Sequence, residues 1–194
     1  SPSTCNNNNN NKKKILILDL DETLVHSSFH PVPNADFILT ITVDGRQHKV
    51  YVKKRPFLQE FLKNIAKYYT IIIFTASLDT YADPLIDILD VDLKVVNYRL
   101  FRPNCVYHLG TYVKDLTHLG SNLSFSLKEM LIVDNSPVSY MLQKENAIAI
   151  TSWYDDEDDL QLQYLLDYLI NLVKIQTKTQ INDIRDTMKV PYQT

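Results

Sequence analysis

The stretch that most constrains this chain is I-L-I-L-D-L-D-E-T, residues 15–23, in which four apolar residues lead directly into Asp19 and Asp21. Ile15–Leu18 is too short and too uniformly apolar for a surface helix, so it predicts a buried strand. In an open α/β sheet, ligands bind just beyond the carboxyl ends of the strands. Two carboxyls on one side of such a site shift each other's pKa or bind a cation. The alternative is that both aspartates only end the strand and cap a turn.

Apolar strand-like runs alternate with amphipathic segments along the rest of the chain. Tyr69–Phe74 and Met130–Val133 are predicted to be buried strands, and Asp158–Lys174 carries leucines at helical spacing. This alternation predicts an α/β fold with a Rossmann-like, mainly parallel sheet flanked by helices. Shorter elements are expected as well, with strands at Val95–Tyr98 and Ala147–Ile150 and helices at Phe57–Lys67, Tyr81–Leu89 and Ile181–Met188.

A β-rich segment follows the first strand. Residues 37–52 are interrupted at Asp44-Gly45, a dipeptide that favours a tight turn between antiparallel strands. We therefore expect a small β-hairpin insertion over about 37–52. The span before the strand at Tyr69 leaves room only for this hairpin and one helix, so no large cap domain is expected. An open site of this kind suits a bulky substrate better than a metabolite that must be enclosed.

Length and composition are those of an ordinary globular domain. The 194 residues are 45% hydrophobic and 22% charged, which is enough apolar content to bury a core. The formal net charge of −3 gives no sign of a basic stripe, so no direct nucleic-acid partner is expected. No apolar run approaches the ~20 residues of a membrane span, so no membrane association is expected. With only two cysteines, a disulfide framework is excluded and a nuclear or cytoplasmic location is expected.

Polar residues follow three other segments at predicted strand ends or loops. They are Thr75, Lys114 in Y-V-K-D-L, and the pair Asp134 and Asn135. Each has an ordinary explanation when taken alone, because a Thr after a strand is usually a turn residue and a single Lys is usually solvated. Asp-Asn before Ser-Pro is likewise a normal turn composition. In this order behind D-x-D-x-T, however, they point to one polar site.

These motifs carry a family resemblance. The string D-x-D-x-T after a strand resembles the first motif of the haloacid dehalogenase superfamily of phosphotransferases. The longer string D-L-D-E-T-L-V-H-S-S-F resembles its branch of small phosphatases acting on the C-terminal domain of RNA polymerase II. The match covers most of residues 15–153, through F-T-A-S-L, Y-A-D-P, Y-V-K-D-L and D-N-S-P. It implies a haloacid-dehalogenase-like fold and a protein serine/threonine phosphatase that works through an aspartyl-phosphate intermediate.

The resemblance implies a catalytic role for each polar residue. Asp19 is implied to be the nucleophile, and Asp21 the acid that protonates the leaving Ser/Thr oxygen and then the base that activates water. Thr75 and Lys114 are implied to hold phosphoryl oxygens. A covalent acyl phosphate would split one displacement into two easier ones. Since the phosphoryl oxygens and the carboxylate are both anionic, a cation must offset their repulsion.

The same resemblance implies Mg²⁺ as the cofactor. Its ligands would be the Asp19 carboxylate, the Asp21 main-chain carbonyl and the Asn135 side chain. Asp134 would support the metal waters and Lys114. Position 135 is Asn, as in the small-phosphatase branch, where many superfamily members carry a second Asp.

A substrate surface is also implied, in the form of a hydrophobic pocket for a proline near the phosphoserine. Arg102, in L-F-R-P, matches an Arg placed to meet extra negative charge on a phosphopeptide, although a surface salt bridge is the alternative. For the apolar residues of this pocket, the alternative is that all of them belong to the core. The residues implied to line the pocket are Phe29, Ile41, Val43, Leu78 and Tyr81.

The substrate class implied in this way is phosphoserine in a Ser-Pro-containing disordered tail of a phosphoprotein, such as the polymerase tail. A same-fold phosphatase for other phosphoproteins and a catalytically inactive phosphopeptide-binding scaffold are the alternatives. The second is disfavoured because a pure binder needs no Asp nucleophile. For the chain as a whole we expect a disordered Asn-rich tail at 1–14, a monomeric phosphatase domain at 15–176 and a C-terminal extension at 177–194.

Overall fold

The computed structural model describes residues 13–43, 45–123 and 125–190. Residues 1–12 of the predicted Asn-rich tail and Asp44 of the predicted turn lie outside the described residues. The strands are β1 (Lys14–Leu18), β2 (Val25–Ser28), β3 (Phe37–Val43), β4 (Arg46–Lys54), β5 (Tyr69–Phe74), β6 (Val96–Leu100), β7 (Val106–His108), β8 (Thr111–Val113), β9 (Met130–Asp134) and β10 (Ala147–Ala149). The helices are α1 (Leu58–Ile65), α2 (Asp79–Asp90), α3 (Leu116–Leu123), α4 (Gln161–Thr179) and α5 (Ile184–Met188).

The centre of the fold is a five-stranded parallel sheet in the order β10-β9-β1-β5-β6. Successive strand residues point to opposite faces, so β1 contributes to two cores. Leu16 and Leu18 pack in the core that includes α1, α2 and α4, whereas Ile15 and Ile17 pack in the core that includes α3. All four are fully buried, which explains why this strand has an unbroken apolar sequence. The predicted α/β fold with a helix-flanked parallel sheet is confirmed.

The predicted helices are all present with shifted bounds, whereas α3 was not predicted. In α1, the buried residues are Leu58, Phe61, Leu62 and Ile65. Helix α2 begins at Asp79, two residues before the predicted start, so Pro84 lies in its second turn rather than its first. A proline there has no N–H for the helical ladder, and the buried side chains of Leu85 and Ile86 pack the helix against the sheet.

The inserted β-structure is larger than predicted. Strands β3 and β4 form the expected antiparallel hairpin, and Gly45 in its turn has a φ of 75°, in the left-handed region that glycine tolerates. A third strand, β2, pairs with the other edge of β4 in the order β2-β4-β3. Its sequence, V-H-S-S, has neither strict alternation nor an apolar run, so it carried no strand signal. Apart from Asp44, which is not described, the span between β1 and β5 holds only this sheet, turns and α1.

The C-terminal part of the chain packs on the same core. Helix α4 runs through position 176, the predicted domain boundary, to Thr179. Ile184 and Thr187 of α5 are then fully buried. The packed unit therefore continues beyond residue 176. Among the described helices, none is both long and apolar enough to cross a membrane.

Candidate active site

Polar residues meet at the carboxyl edge of the central sheet. Asp19 follows β1, Thr75 follows β5 and Asp134 ends β9, and these three strands are neighbours. The backbone continues the strand ladder at this edge, because the Asp19 N–H donates to the Val133 carbonyl and the Thr75 N–H donates to the Leu100 carbonyl, each at 3.0 Å. The two turns are therefore held by the sheet, and their side chains project into one site.

Lys114 lies between two carboxylates. Its Nζ donates to Asp19 Oδ1 at 2.5 Å and to Asp134 Oδ2 at 2.6 Å, and the lysine side chain is 1% exposed. Burial alone would lower the pKa of Lys114, but the charges of Asp19 and Asp134 outweigh it and raise that pKa above its usual value. Burial raises the pKa of Asp134, and the nearby Asp19 adds to this while Lys114 opposes it. The cluster thus holds an ammonium group against the proposed nucleophile.

The lysine comes from outside the central sheet. It follows β8 of a short β7–β8 hairpin that the sequence pattern did not predict, and Gly110 in the turn has a φ of 84°. The Lys114 N–H donates to the Ser139 carbonyl at 2.7 Å, which ties the lysine to the loop after β9. Only the motif Y-V-K-D-L marked this residue in the sequence.

Asp21 is surrounded by hydroxyl groups. Its Oδ2 accepts from Ser77 Oγ at 2.7 Å and from Thr75 Oγ1 at 3.2 Å, and its Oδ1 accepts from Tyr81 Oη at 2.6 Å. Burial raises the pKa of Asp21 above its ordinary value and Asp19 adds to this, although the three hydroxyls pull it down. A carboxyl with a raised pKa is suited to carry a proton to a leaving group. No sequence pattern indicated a role for Ser77, and the family resemblance implied Tyr81 only as a pocket residue.

Thr23 links the side chains of two of the residues expected to hold Mg²⁺, Asp19 and Asn135. Thr23 Oγ1 donates to Asp19 Oδ2 at 2.7 Å and lies 3.3 Å from Asn135 Oδ1. The amide nitrogen of Asn135 donates to Ser152 Oγ at 2.9 Å, which orients its oxygen towards the carboxylate. Hard oxygen donors of this kind fit Mg²⁺, which keeps several waters and takes few protein ligands. Over the described ranges, no cluster of three or more His, Cys, Asp or Glu forms a metal site; a set of one carboxylate, one amide and one carbonyl would not produce such a cluster.

Arg55 holds the backbone behind the site. It is 1% exposed, and its Nη1 donates to the Thr23 and Thr151 carbonyls, each at 3.1 Å. Its Nε and Nη2 donate to the two carboxyl oxygens of Asp159, each at 2.8 Å. Burial alone would raise the pKa of Asp159, but the Arg55 guanidinium holds that pKa below its usual value. A buried arginine has no local sequence pattern, so Arg55 was not predicted to support the site.

The residues implied to form a substrate pocket do not share one environment. Phe29 and Leu78 are 63% and 42% exposed, whereas Ile41 is buried at 5%. Val43 and Tyr81 are half-buried against the main core. The insertion and α2, which carry members of this set, are nevertheless neighbours, because β3 packs against α2. Its role in substrate binding stays a prediction.

Arg102 contacts the turn that follows Thr75. Its Nε donates to the Ala76 carbonyl at 2.7 Å, and its guanidinium stands 5.2 Å from the centre of the Tyr112 ring. Both contacts fix the arginine beside the mouth of the site, on the side of the β7–β8 hairpin. Its predicted role towards a second negative charge stays a prediction.

Several known proteins resemble this chain. A probable C-terminal domain small phosphatase from Dictyostelium discoideum is 55% identical over 161 residues, covering 83% of this chain and 51% of that protein. The human CTD small phosphatase-like protein is 50% identical over 157 residues, covering 81% of this chain and 55% of that protein. This chain therefore spans about half the length of these relatives.

Solved structures agree on the fold. The fission yeast RNA polymerase II CTD phosphatase Fcp1, bound to beryllium fluoride, superposes with a TM-score of 0.62 at 19% identity, covering 91% of this chain and 54% of that chain. At this identity the likeness concerns the fold alone. The model of the NLI interacting factor-like phosphatase family matches residues 14–185. That match includes every predicted catalytic and metal position, and the chain belongs to the NLI interacting factor-like phosphatase family.

Proposed function

We propose that this chain is a Mg²⁺-dependent protein serine/threonine phosphatase in which Asp19 becomes transiently phosphorylated. The observation that carries the proposal is the pairing of two aspartates with different surroundings. The Asp19 carboxyl is paired with the Lys114 ammonium, whereas Asp21 has a raised pKa that suits it to carry a proton. One carboxyl is thus prepared to attack and the other to protonate.

In the first step, Asp19 Oδ attacks phosphorus, the bond from phosphorus to the serine oxygen breaks, and Asp21 gives its proton to that oxygen. In the second step, the Asp21 carboxylate takes a proton from water, whose oxygen attacks phosphorus. The bond to Asp19 then breaks and inorganic phosphate leaves. Lys114 and the Thr75 hydroxyl stabilise the phosphoryl oxygens in both steps.

The residues that would hold Mg²⁺ are Asp19 through its carboxylate, Asp21 through its main-chain carbonyl, and Asn135 through its side-chain oxygen. When bound, the ion supplies positive charge that offsets the repulsion between the phosphoryl group and the attacking carboxylate. Thr23 holds the Asp19 carboxylate beside the Asn135 oxygen, and Ser152 holds the amide. Asp134 keeps Lys114 in place from the opposite side.

For the substrate, we propose phosphoserine in proline-containing disordered segments, such as the C-terminal domain of RNA polymerase II. The names of the relatives support this class, and a nuclear or cytoplasmic location is consistent with it. The exposed Phe29 and Leu78 offer apolar surface to a peptide, and Arg102 offers charge. Other phosphoproteins would be hydrolysed by the same reaction, and they are the second candidate substrate class.

The proposal is tested by trapping the intermediate. Wild-type protein is mixed with a phosphoserine-proline peptide and Mg²⁺, quenched in acid and reduced with borohydride, which converts an aspartyl phosphate into homoserine. Mass spectrometry should find homoserine at position 19. Asp19→Asn should show neither turnover nor trapping, and Asp167→Asn, a change on the exposed face of α4, should behave as wild type. Label at another residue, or turnover by Asp19→Asn, would overturn the mechanism. Peptide binding without any turnover by the wild type would indicate a scaffold.

A further inference from the structure

Tyr81 joins the inserted sheet to the proposed general acid. Its ring lies on α2 and packs against the core, and its Oη lies 2.6 Å from Asp21 Oδ1 and 2.5 Å from Ser27 Oγ of β2. A tyrosine hydroxyl has one proton. When Asp21 is ionised and accepts that proton's hydrogen bond, the Ser27 hydroxyl donates to Tyr81. The three groups form one relay from the insertion to the acid.

The relay determines which way the carboxyl of Asp21 faces. Oδ2 is already engaged by Ser77 and Thr75, which both belong to the turn after β5. Oδ1 is held from the opposite direction by Tyr81. Without the Tyr81 hydroxyl, the carboxyl keeps its two contacts on Oδ2 but loses the contact that fixes Oδ1, so its orientation is less constrained. Proton transfer depends on such geometry, because donor and acceptor must be within hydrogen-bond reach in the transition state.

We propose that Tyr81, supported by Ser27, is a positioning residue that makes the enzyme effective on serine-type phosphate esters in particular. The inference rests on the proposed function, with Asp21 as the acid of the first step. An alkoxide is a poor leaving group and must receive the Asp21 proton as its bond to phosphorus breaks. A nitrophenolate leaves without that proton. Tyr81 therefore matters for alkyl phosphates and hardly at all for nitrophenyl phosphate.

The matched substitution is Tyr81→Phe, which removes the hydroxyl and keeps the ring in its packing. The measured quantity is kcat/KM at one fixed pH for small phosphate monoesters whose leaving groups range from nitrophenol to a simple alcohol. This quantity covers only the steps up to departure of the leaving group, so the second step does not affect it. Small esters are used because they make no peptide contacts, which separates acid positioning from binding in the pocket.

For Tyr81→Phe we expect kcat/KM to fall about 10–100-fold on alkyl phosphates and less than about 3-fold on nitrophenyl phosphate, a part of the ~10²–10⁴-fold that general acid catalysis supplies. The dependence of log kcat/KM on leaving-group pKa becomes steeper. Ser27→Ala should also make this dependence steeper, by a smaller amount. Tyr164→Phe, on the exposed face of α4, should reproduce the wild-type line.

An equal loss of kcat/KM on every ester, or no loss on any, would overturn the positioning role, because neither result changes the slope. Failure of the proposed function looks different: the wild type itself would then turn over none of the esters. Circular dichroism and the melting temperature of Tyr81→Phe complete the test. A folded variant with an unchanged slope refutes the inference directly.

Discussion

Removing the buried charge of Lys114 gives the sharpest test of how the site is held together. In Lys114→Met, a side chain of similar length replaces an ammonium that contacts Asp19 and Asp134 at 2.5 and 2.6 Å. Two carboxylates then face each other with no positive charge between them. Asp134 is 1% exposed and Asp19 is 7% exposed, so little water is available to replace the lost partner.

Breaking a buried ion pair from one side costs ~3–5 kcal/mol, because the remaining charge stays buried and unpaired. For a chain of this size, 1 kcal/mol corresponds to about 2–4 °C in Tm. We therefore expect Lys114→Met to melt roughly 6–20 °C below wild type near neutral pH. Phosphatase turnover should vanish in the same variant.

The loss of stability in Lys114→Met should depend on pH in a defined direction. Burial and Asp19 already raise the pKa of Asp134, and removing Lys114 takes away the charge that opposed them. A carboxyl whose folded-state pKa is raised costs stability as the pH rises through that value. The Tm difference between variant and wild type should therefore shrink as the pH is lowered from 7.5 towards 5.

The Tm of each variant is measured by differential scanning calorimetry at several pH values. Lys54→Met is the control, since Lys54 is partly exposed and its pair with Asp36 at 3.5 Å is worth at most ~1 kcal/mol. Adding Asp134→Asn to Lys114→Met should restore part of the lost Tm, because one of the two repelling charges is gone. A Lys114→Met shift no larger than the control, or one that is independent of pH, would refute the reasoning.

Further predictions concern the metal, the backbone clamp and the peptide surface. Chelation with excess EDTA should abolish turnover of an aryl phosphate and added Mg²⁺ should restore it; full activity in EDTA would exclude the proposed site. Arg55→Met should destabilise the fold by ~3–5 kcal/mol and lower activity, because Asp159 loses its partner and the Thr23 turn loses its anchor; equilibrium urea unfolding measures this. Leu78→Ala should reduce kcat/KM about 10-fold on a phosphoserine-proline peptide and leave nitrophenyl phosphate turnover unchanged; equal losses on both substrates would remove Leu78 from the substrate surface.

Features with a local pattern could be predicted from the sequence. The strand at Tyr69–Phe74 was placed at its observed bounds, because a strand buried on both faces must be an unbroken apolar run. The same principle located Ile15–Leu18, and the position of the polar residues after such runs indicated a shared edge. The apolar face of α1 followed from residues three and four apart.

Contacts between distant elements could not be predicted, because no periodicity records them. Ser27 and Tyr81 are both parts of matched motifs, yet only the folded chain brings their hydroxyls to Asp21. The sequence alone would suggest Tyr81→Ala as a test of the proline pocket. Because Tyr81 also donates a hydrogen bond to Asp21, this substitution would disturb the proposed acid as well, so Leu78 and Phe29 are the better probes of the pocket.

The place of β1 in the sheet has a consequence for how the molecule is made. Leu16 pairs with Ile71 on one side and with Leu131 on the other, so both neighbours of β1 are synthesised after it. At roughly 5–20 residues per second, the apolar run waits for seconds on the ribosome with both of its edges unpaired. Open apolar strand edges are sites of wrong pairing, so we expect nascent chains to need a chaperone that covers residues 15–18 until β9 has emerged. Asp19, the proposed nucleophile, is thus among the first of the site's residues to be synthesised and among the last to acquire its partners.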